Sequence, residues 1–155
     1  MTIRRARESD IPAVLRLLRQ VCMVHHAGRP DLFRAGGAKY DEAALREIFR
    51  DDARPVFVYD EGGEALGYAF CVHQQYVGHP VMTDVRTLYI DDLCVDEACR
   101  GRGVGQALYR HVLEYARASG CYNVTLNVWA RNAAALRFYE KCGLTPQKIG
   151  METIL

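Results

Sequence analysis

Six consecutive residues, Arg100-Gly101-Arg102-Gly103-Val104-Gly105, combine two permanent cations with three glycines. A guanidinium is charged at any working pH, and its planar fork matches phosphate oxygens. Glycine removes the side chain that would hold a ligand away from the backbone. The run before the loop, Leu88 to Val95, is apolar and β-branched apart from the pair Asp91-Asp92. After it, Ala107, Leu108, His111, Val112 and Tyr115 recur at helical spacing. A strand, a glycine turn and a helix start make an anion site. The first helical turn leaves N–H groups without partners, and the helix N-terminus adds about half a positive charge. The segment predicts a diphosphate cradle.

Two familiar nucleotide loops are excluded by spacing. A Walker A loop ends in Gly-Lys-Ser/Thr, whereas this one runs on as Gly105-Gln106-Ala107. A dinucleotide fingerprint needs a glycine or alanine three residues after its second glycine, where Gln106 or Leu108 stands. The acidic residue expected about 20 positions on is also missing, since that region reads Cys121-Tyr122-Asn123-Val124.

Other residues carry chemistry of their own. Strand side chains alternate, so Asp91 and Asp92 are expected on opposite faces, Asp91 with Tyr89, Leu93 and Val95, and Asp92 with Ile90 and Cys94. A carboxylate on a central strand is costly unless it is hydrogen-bonded or open to a wet cleft. Either acid fits a proton acceptor, and either fits a carboxylate that merely holds loop N–H groups. Asn132 is a good helix cap on any fold. Tyr139 falls on the inward face of the helix it begins, where a buried phenol needs a partner. His25, His26 and Phe33 fall between the two N-terminal helices; adjacent histidines without a partner at metal spacing do not make a metal site.

The loop pattern Arg-x-x-Gly-x-Gly resembles the acetyl-coenzyme A pyrophosphate loop of the GCN5-related N-acetyltransferases, the GNAT family. A second element follows in the right order. Asn132, Ala135, Phe138, Tyr139, Lys141, Gly143 and Leu144 are similar to that family's Asn-x-x-Ala-x-x-Phe-Tyr-x-Lys-x-Gly-Phe helix, with Leu144 in place of Phe. The likeness covers roughly residues 86 to 155; the N-terminal half matches only in element order. It implies acetyl-CoA as cosubstrate and no metal. Arg100, Gly101, Arg102, Gly103, Val104 and Gly105 would hold the diphosphate. Leu93, Cys94 and Val95 would pair with the pantetheine arm, and Asn132, Ala135, Tyr139 and Lys141 would line it. Tyr139 would protonate the departing thiolate. The run Tyr89-Ile90-Asp91-Asp92 looks like the polyamine acetyltransferase branch, where the first acid is the proposed base or relay. Here that acid is Asp91, one methylene shorter than Glu. His25, His26 and Phe33 would lie on the acceptor side. Backbone N–H groups where the central strands part would polarise the thioester carbonyl.

The elements that must position these groups follow from pattern. Thr2 to Ala6 reads as a strand. Ser9 and Asp10 offer a cap to a helix with Ile11, Val14, Leu15, Leu18 and Cys22 on one face. The chain breaks at Ala27-Gly28-Arg29-Pro30, and Asp41 caps a second helix with Leu45, Ile48 and Phe49 inward. Pro55 to Tyr59 and Ala65 to Gln74 are strands, and Tyr76 to Asp84 is a loop. Ser119-Gly120 closes the cradle helix, Tyr122 to Trp129 is a strand, Gly143 ends the Asn132 helix, and Gln147 to Leu155 makes a final strand. The expected fold is α/β, a single domain over residues 1–155. Its sheet is mixed and mostly antiparallel, with helices on both faces and strands splayed at the acetyl-CoA site.

Composition narrows the function. The 155 residues are half hydrophobic and a quarter charged, with net charge +1 and pI near 7.6, which gives no reason to expect nucleic acid as a partner. MTIRRARESD is polar, and no apolar run approaches membrane-spanning length, so neither signal peptide nor membrane partner is expected. Cys22, Cys71, Cys94, Cys99, Cys121 and Cys142 have no Cys-x-x-Cys pairing and read as reduced thiols of a cytoplasmic protein. The expected activity is direct N-acetylation of a small-molecule amine. The alternatives are acetylation of a protein N-terminus or lysine and a non-catalytic acyl-CoA sensor. The resemblance also allows a homodimer, for which the apolar C-terminal strand offers a seam; Trp129 reads as a core or dimer-contact residue.

Overall fold

The computed structural model describes all residues, 1–155. Its strands are β1 (Thr2–Arg5), β2 (Val56–Glu61), β3 (Glu64–Gln75), β4 (Arg86–Val95) and β5 (Asn123–Leu126). Its helices are α1 (Ile11–Gly28), α2 (Glu42–Phe49), α3 (Val104–Ala118) and α4 (Ala133–Lys141). The sheet runs β1-β2-β3-β4-β5, antiparallel throughout except for the parallel pair β4–β5. A parallel neighbour needs a crossover, and α3 supplies it.

Each sheet face carries its own core. On one, Val14, Leu17 and Leu18 of α1 and Leu45 and Ile48 of α2 pack on Val56, Val58, Tyr68 and Phe70. On the other, Val104, Leu108 and Val112 of α3 pack on Phe57, Ala69, Leu88 and Ile90. Gly67 sets how closely α3 approaches. A Cβ there would sit 2.9 Å from the Cys94 carbonyl oxygen and 3.1 Å from Leu108 Cδ1. Gly67→Ala is expected to lower unfolding free energy by about 1–3 kcal/mol in urea titration, the usual cost of overpacking.

Four expected element bounds or caps differ in the structure. α1 runs on through Gly28, so His25 and His26 stand in its last turn rather than between helices. Asp10 does not cap α1; its carboxylate accepts from the Arg7 N–H at 2.9 Å and from the Arg4 guanidinium, closing a short turn ahead of the helix. β5 stops at Leu126, where β4 ceases to be its neighbour. Gln147 to Leu155 is not a strand: it is exposed and lies beside no other strand of the sheet. An alternating apolar run can form a strand only where an edge accepts it. No helix is long and apolar enough to cross a membrane.

Candidate functional site

The glycine loop folds as its composition requires. Gly101 and Gly103 take φ of 78° and 81°, the left-handed region that other residues avoid. Gly105 is needed for space, since a Cβ there would meet Phe138 Cζ at 3.3 Å and Val95 Cγ2 at 3.4 Å. Gly103 is the N-cap of α3 and no side chain caps that end, so the first-turn N–H groups remain free for a ligand. Arg100 is exposed beside them. Arg102 points elsewhere, its guanidinium 2.9 Å and 3.1 Å from the two Glu61 carboxylate oxygens.

The strand before the loop offers its backbone. β4 and β5 pair only from Thr87↔Asn123 to Ile90↔Leu126, and beyond that β5 turns away. The edge of β4 from Asp91 to Val95, including Leu93, Cys94 and Val95, is thereby left without a strand neighbour on that side. Asn132 accepts the Ala135 N–H at 3.2 Å and caps α4, as its type predicts. Ala135, Phe138 and Tyr139 of α4 are half-buried, with Phe138 packed against the α3-side core, while Lys141 is exposed near the helix end. The free first-turn N–H groups can accept an anion, and the open strand edge can pair with an extended chain.

The two acids do not straddle the sheet. Phe70 pairs with Asp92 and Cys71 with Ile90, so residue 91 is an extra residue in β4, a β-bulge. The bulge breaks the alternation assumed from sequence. Ile90 faces α3, whereas Asp91 and Asp92 both reach the α1–α2 side. Asp91 accepts from Lys39 Nζ at 2.8 Å to each oxygen and from the Tyr40 hydroxyl at 2.8 Å. Asp92 accepts from the Tyr68 hydroxyl at 2.8 Å. Burial pushes the Asp92 carboxyl up to about 6, against the pull of the Tyr68 hydrogen bond and of Lys39, with Asp91 adding repulsion.

Tyr139 stands across from Asp92. Burial, and then the negative charge of Asp92, hold its phenol protonated far above the ordinary range. No protein group hydrogen-bonds its hydroxyl, which leaves a free donor at the groove. Cys94 is no rival nucleophile: burial pushes its thiol up to about 12, and it donates to the Leu17 carbonyl.

On the α1 side lies a cavity of about 270 Å³ lined by His25, Phe33, Trp129, Arg131 and Asn132, among others. Phe33 stacks on His25 with ring centroids 4.9 Å apart and meets Trp129 edge-on at 5.1 Å. Burial first, then nearby Lys39, lowers the pKa of His25. His26 points into the loop instead, its Nδ1–H donating to the Phe33 carbonyl at 2.7 Å. That bond ties the last turn of α1 to the Phe33 backbone. Lys39, Tyr40, Tyr68, Trp129 and Arg131 were not expected at the site. Nothing in their spacing marks them, because each arrives from a distant part of the chain. No three His, Cys, Asp or Glu side chains gather at metal-binding distance.

Comparison with known proteins adds to this geometry. The family model described as "Acetyltransferase (GNAT) family" matches residues 23–144. Glucosamine 6-phosphate N-acetyltransferase 1 of Oryza sativa subsp. japonica is 38% identical over 66 residues, covering 43% of this chain and 38% of that protein. The matches to the first such relatives thus span less than half of their own length. Thialysine N-epsilon-acetyltransferase of Bos taurus is 28% identical over 151 residues, covering 91% of this chain and 82% of that one. Among solved structures, a mutant of the BH1408 protein from Bacillus halodurans superposes with a TM-score of 0.95 at 32% identity, covering 100% of this chain and 99% of the other.

Proposed function

Because the chain belongs to the GNAT acetyltransferase family, we propose that it transfers an acetyl group from acetyl-CoA directly to the primary amine of a small molecule. The observation that carries this reading is the parted strand: the free edge of β4 has an uncapped helix N-terminus at one end and a bulged pair of acids at the other. Relatives named for glucosamine 6-phosphate and for thialysine act on small amines by those names, which supports a small acceptor.

Acetyl-CoA supplies an activated acyl group with a thiol as leaving group. The N–H groups of the Gly101–Gly105 loop and the Arg100 guanidinium hold its diphosphate. Leu93 to Val95 offer strand-like pairing to the arm, with Asn132, Ala135, Tyr139 and Lys141 on the opposite wall. The free N–H groups of the β4 edge polarise the acyl carbonyl. Arg100→Ala is expected to raise the acetyl-CoA KM about tenfold with kcat unchanged, the loss of one charge-assisted hydrogen bond. Arg102→Ala is expected to do less, because Glu61 already holds that side chain.

An amine attacks only as the free base, and most aliphatic amines are protonated at neutral pH. Asp92 takes that proton: a carboxylate poised near 6 is ionised at pH 7.5 yet basic enough to accept. Asp91 positions the acceptor. The Lys39 ammonium rests on it, so an acceptor ammonium finds a site already shaped for its charge. Tyr139 donates its proton to the departing thiol. His25, Phe33, Trp129 and Arg131 form the wall that sorts acceptors. The six free thiols suit a cytoplasmic enzyme.

The test is coenzyme A release from acetyl-CoA with polyamines, aminosugars, aminoglycosides, amino acids and short peptides. Amine-dependent release with the small acceptors is the expected result. Turnover on peptides alone would move the activity to protein substrates, and acetyl-CoA binding without turnover on any amine would overturn the enzymatic reading.

A further inference from the structure

Asp91 already holds a cation of its own chain. Lys39 Nζ lies 2.8 Å from each of the two carboxylate oxygens and has no other hydrogen-bond partner. Lys39 stands in the irregular stretch between α1 and α2. The next two residues fix the backbone on that side: Tyr40 stacks on Phe70 with centroids 5.5 Å apart, and Asp41 caps α2. The residue type is informative. Of the 20 Lys and Arg residues only Lys39, Lys141 and Lys148 are lysines. A guanidinium at position 39 would neutralise Asp91 at least as well, through its bidentate fork, but could never become a nucleophile. An amine can.

That amine stands among the groups an acyl transfer needs. Its charge also acts on Asp92, lowering the carboxyl against the larger effect of burial, so the ammonium is close to both acids. The charge of Asp92 in turn reaches the Tyr139 phenol. Asp91 itself opens the stretch of β4 that has lost its β5 neighbour. A dissolved acceptor that pairs its ammonium with Asp91 must therefore displace Lys39 first. The tethered amine needs no such step, and a group held beside its reaction partner acts at an effective concentration above that of any dissolved amine.

We propose that the chain acetylates its own Lys39, and that the loss of charge releases Asp91 to an incoming acceptor ammonium. The inference rests on the acetyl-CoA reading of the groove. Asp92 takes one proton from the Lys39 ammonium, and the free Nζ attacks the thioester carbonyl carbon. A C–N bond forms and the C–S bond breaks. The sulfur leaves with the electron pair of that bond and takes a proton from Tyr139. Two protons leave the nitrogen in all: one restores the Tyr139 hydroxyl and the other passes from Asp92 to solvent. The product is a neutral amide, which no longer competes for the carboxylate.

Peptide mass mapping of the full chain, before and after incubation with acetyl-CoA and no amine, tests this. The expected result is one acetyl group on Lys39, gained at a rate that does not change when the protein is diluted. Lys141 and Lys148, both exposed and without hydrogen-bond partners, report uncatalysed acetylation in the same tube. Lys39→Arg is expected to abolish the modification at that position. Asp92→Asn is expected to slow it about 10²-fold without changing Lys141 or Lys148. Lys39→Gln, whose amide stands in for acetyl-lysine, is expected to lower the acceptor KM up to about fivefold, the most that an exposed ion pair contributes. Acetylation of Lys39 no faster than of the other two lysines would overturn the proposal. So would a rate that falls on dilution, indifference to Asp92→Asn, or an unaltered acceptor KM in Lys39→Gln. Amine-dependent coenzyme A release by a chain whose Lys39 stays unmodified would overturn self-acetylation and leave the transferase standing. Acetylated Lys39 without turnover on any added amine would keep self-acetylation and remove the small acceptor. The absence of both would remove both.

Discussion

Tyr139→Phe is expected to lower kcat by about 10²-fold while leaving the acetyl-CoA KM within about twofold. The asymmetry follows from where the hydroxyl stands. It makes no hydrogen bond to the protein, so its removal breaks no structural contact and orphans no partner. The ring stays, and with it the edge-on contact to Phe138 at 5.1 Å between centroids. What is lost is a proton donor needed only as the thiol departs, and an interaction made only in the transition state appears in kcat. Burial and the Asp92 charge keep this phenol protonated across the working pH range, so no falling limb in the rate profile should come from it. Steady-state kinetics with a saturating amine decides the matter; an unchanged kcat would remove Tyr139 from the chemistry.

Asp92→Asn is expected to remove about 10²–10³-fold of activity and at the same time to make the protein more stable at pH 8. The wild-type rate should rise with pH through about 6, as the carboxylate forms. The stability effect has the opposite sign. The folded protein holds the Asp92 proton more tightly than the unfolded chain does. The carboxyl therefore favours folding below its ordinary value near pH 4, and that contribution is lost as the pH rises through 6. An amide carries no such penalty and still accepts from the Tyr68 hydroxyl, so a gain on the order of 1–2 kcal/mol is expected, after discounting the full shift for residual solvent. Thermal melts of both proteins at pH 5 and pH 8 should diverge more at the higher value. A variant less stable than wild type at pH 8 would mean that the carboxylate is supported by more than Tyr68.

Residues that act through local geometry were legible in the sequence. The Arg100 to Gly105 loop, the Asn132 cap and the placement of Tyr139 one helical face away all follow from spacing within a single element. Groups brought by distant segments were not. Lys39 and Tyr40 sit in an irregular stretch with no periodicity, yet they bind Asp91. Trp129 carries no mark that it meets Phe33 rather than the core. The faces of the two acids were misread because alternation holds only in a regular ladder, and the irregularity depends on how β3 pairs, not on β4 alone. The run from Gln147 to Leu155 shows the same limit. Its alternation says that it can be a strand; what it lies against is a property of the whole molecule.

The bulge also bears on which length changes the gene can tolerate. A one-residue deletion inside a buried strand ordinarily turns every following side chain to the wrong face. Here removal of residue 91 would restore regular alternation: Ile90 would stay toward α3, Asp92 toward α1, and the pairs from Phe70↔Asp92 to Gly67↔Val95 would keep their register. The hairpin can do without this residue. Its presence is a standing insertion in the central strand, and what it adds is a second carboxylate on the wet side of the sheet, where Lys39 now rests.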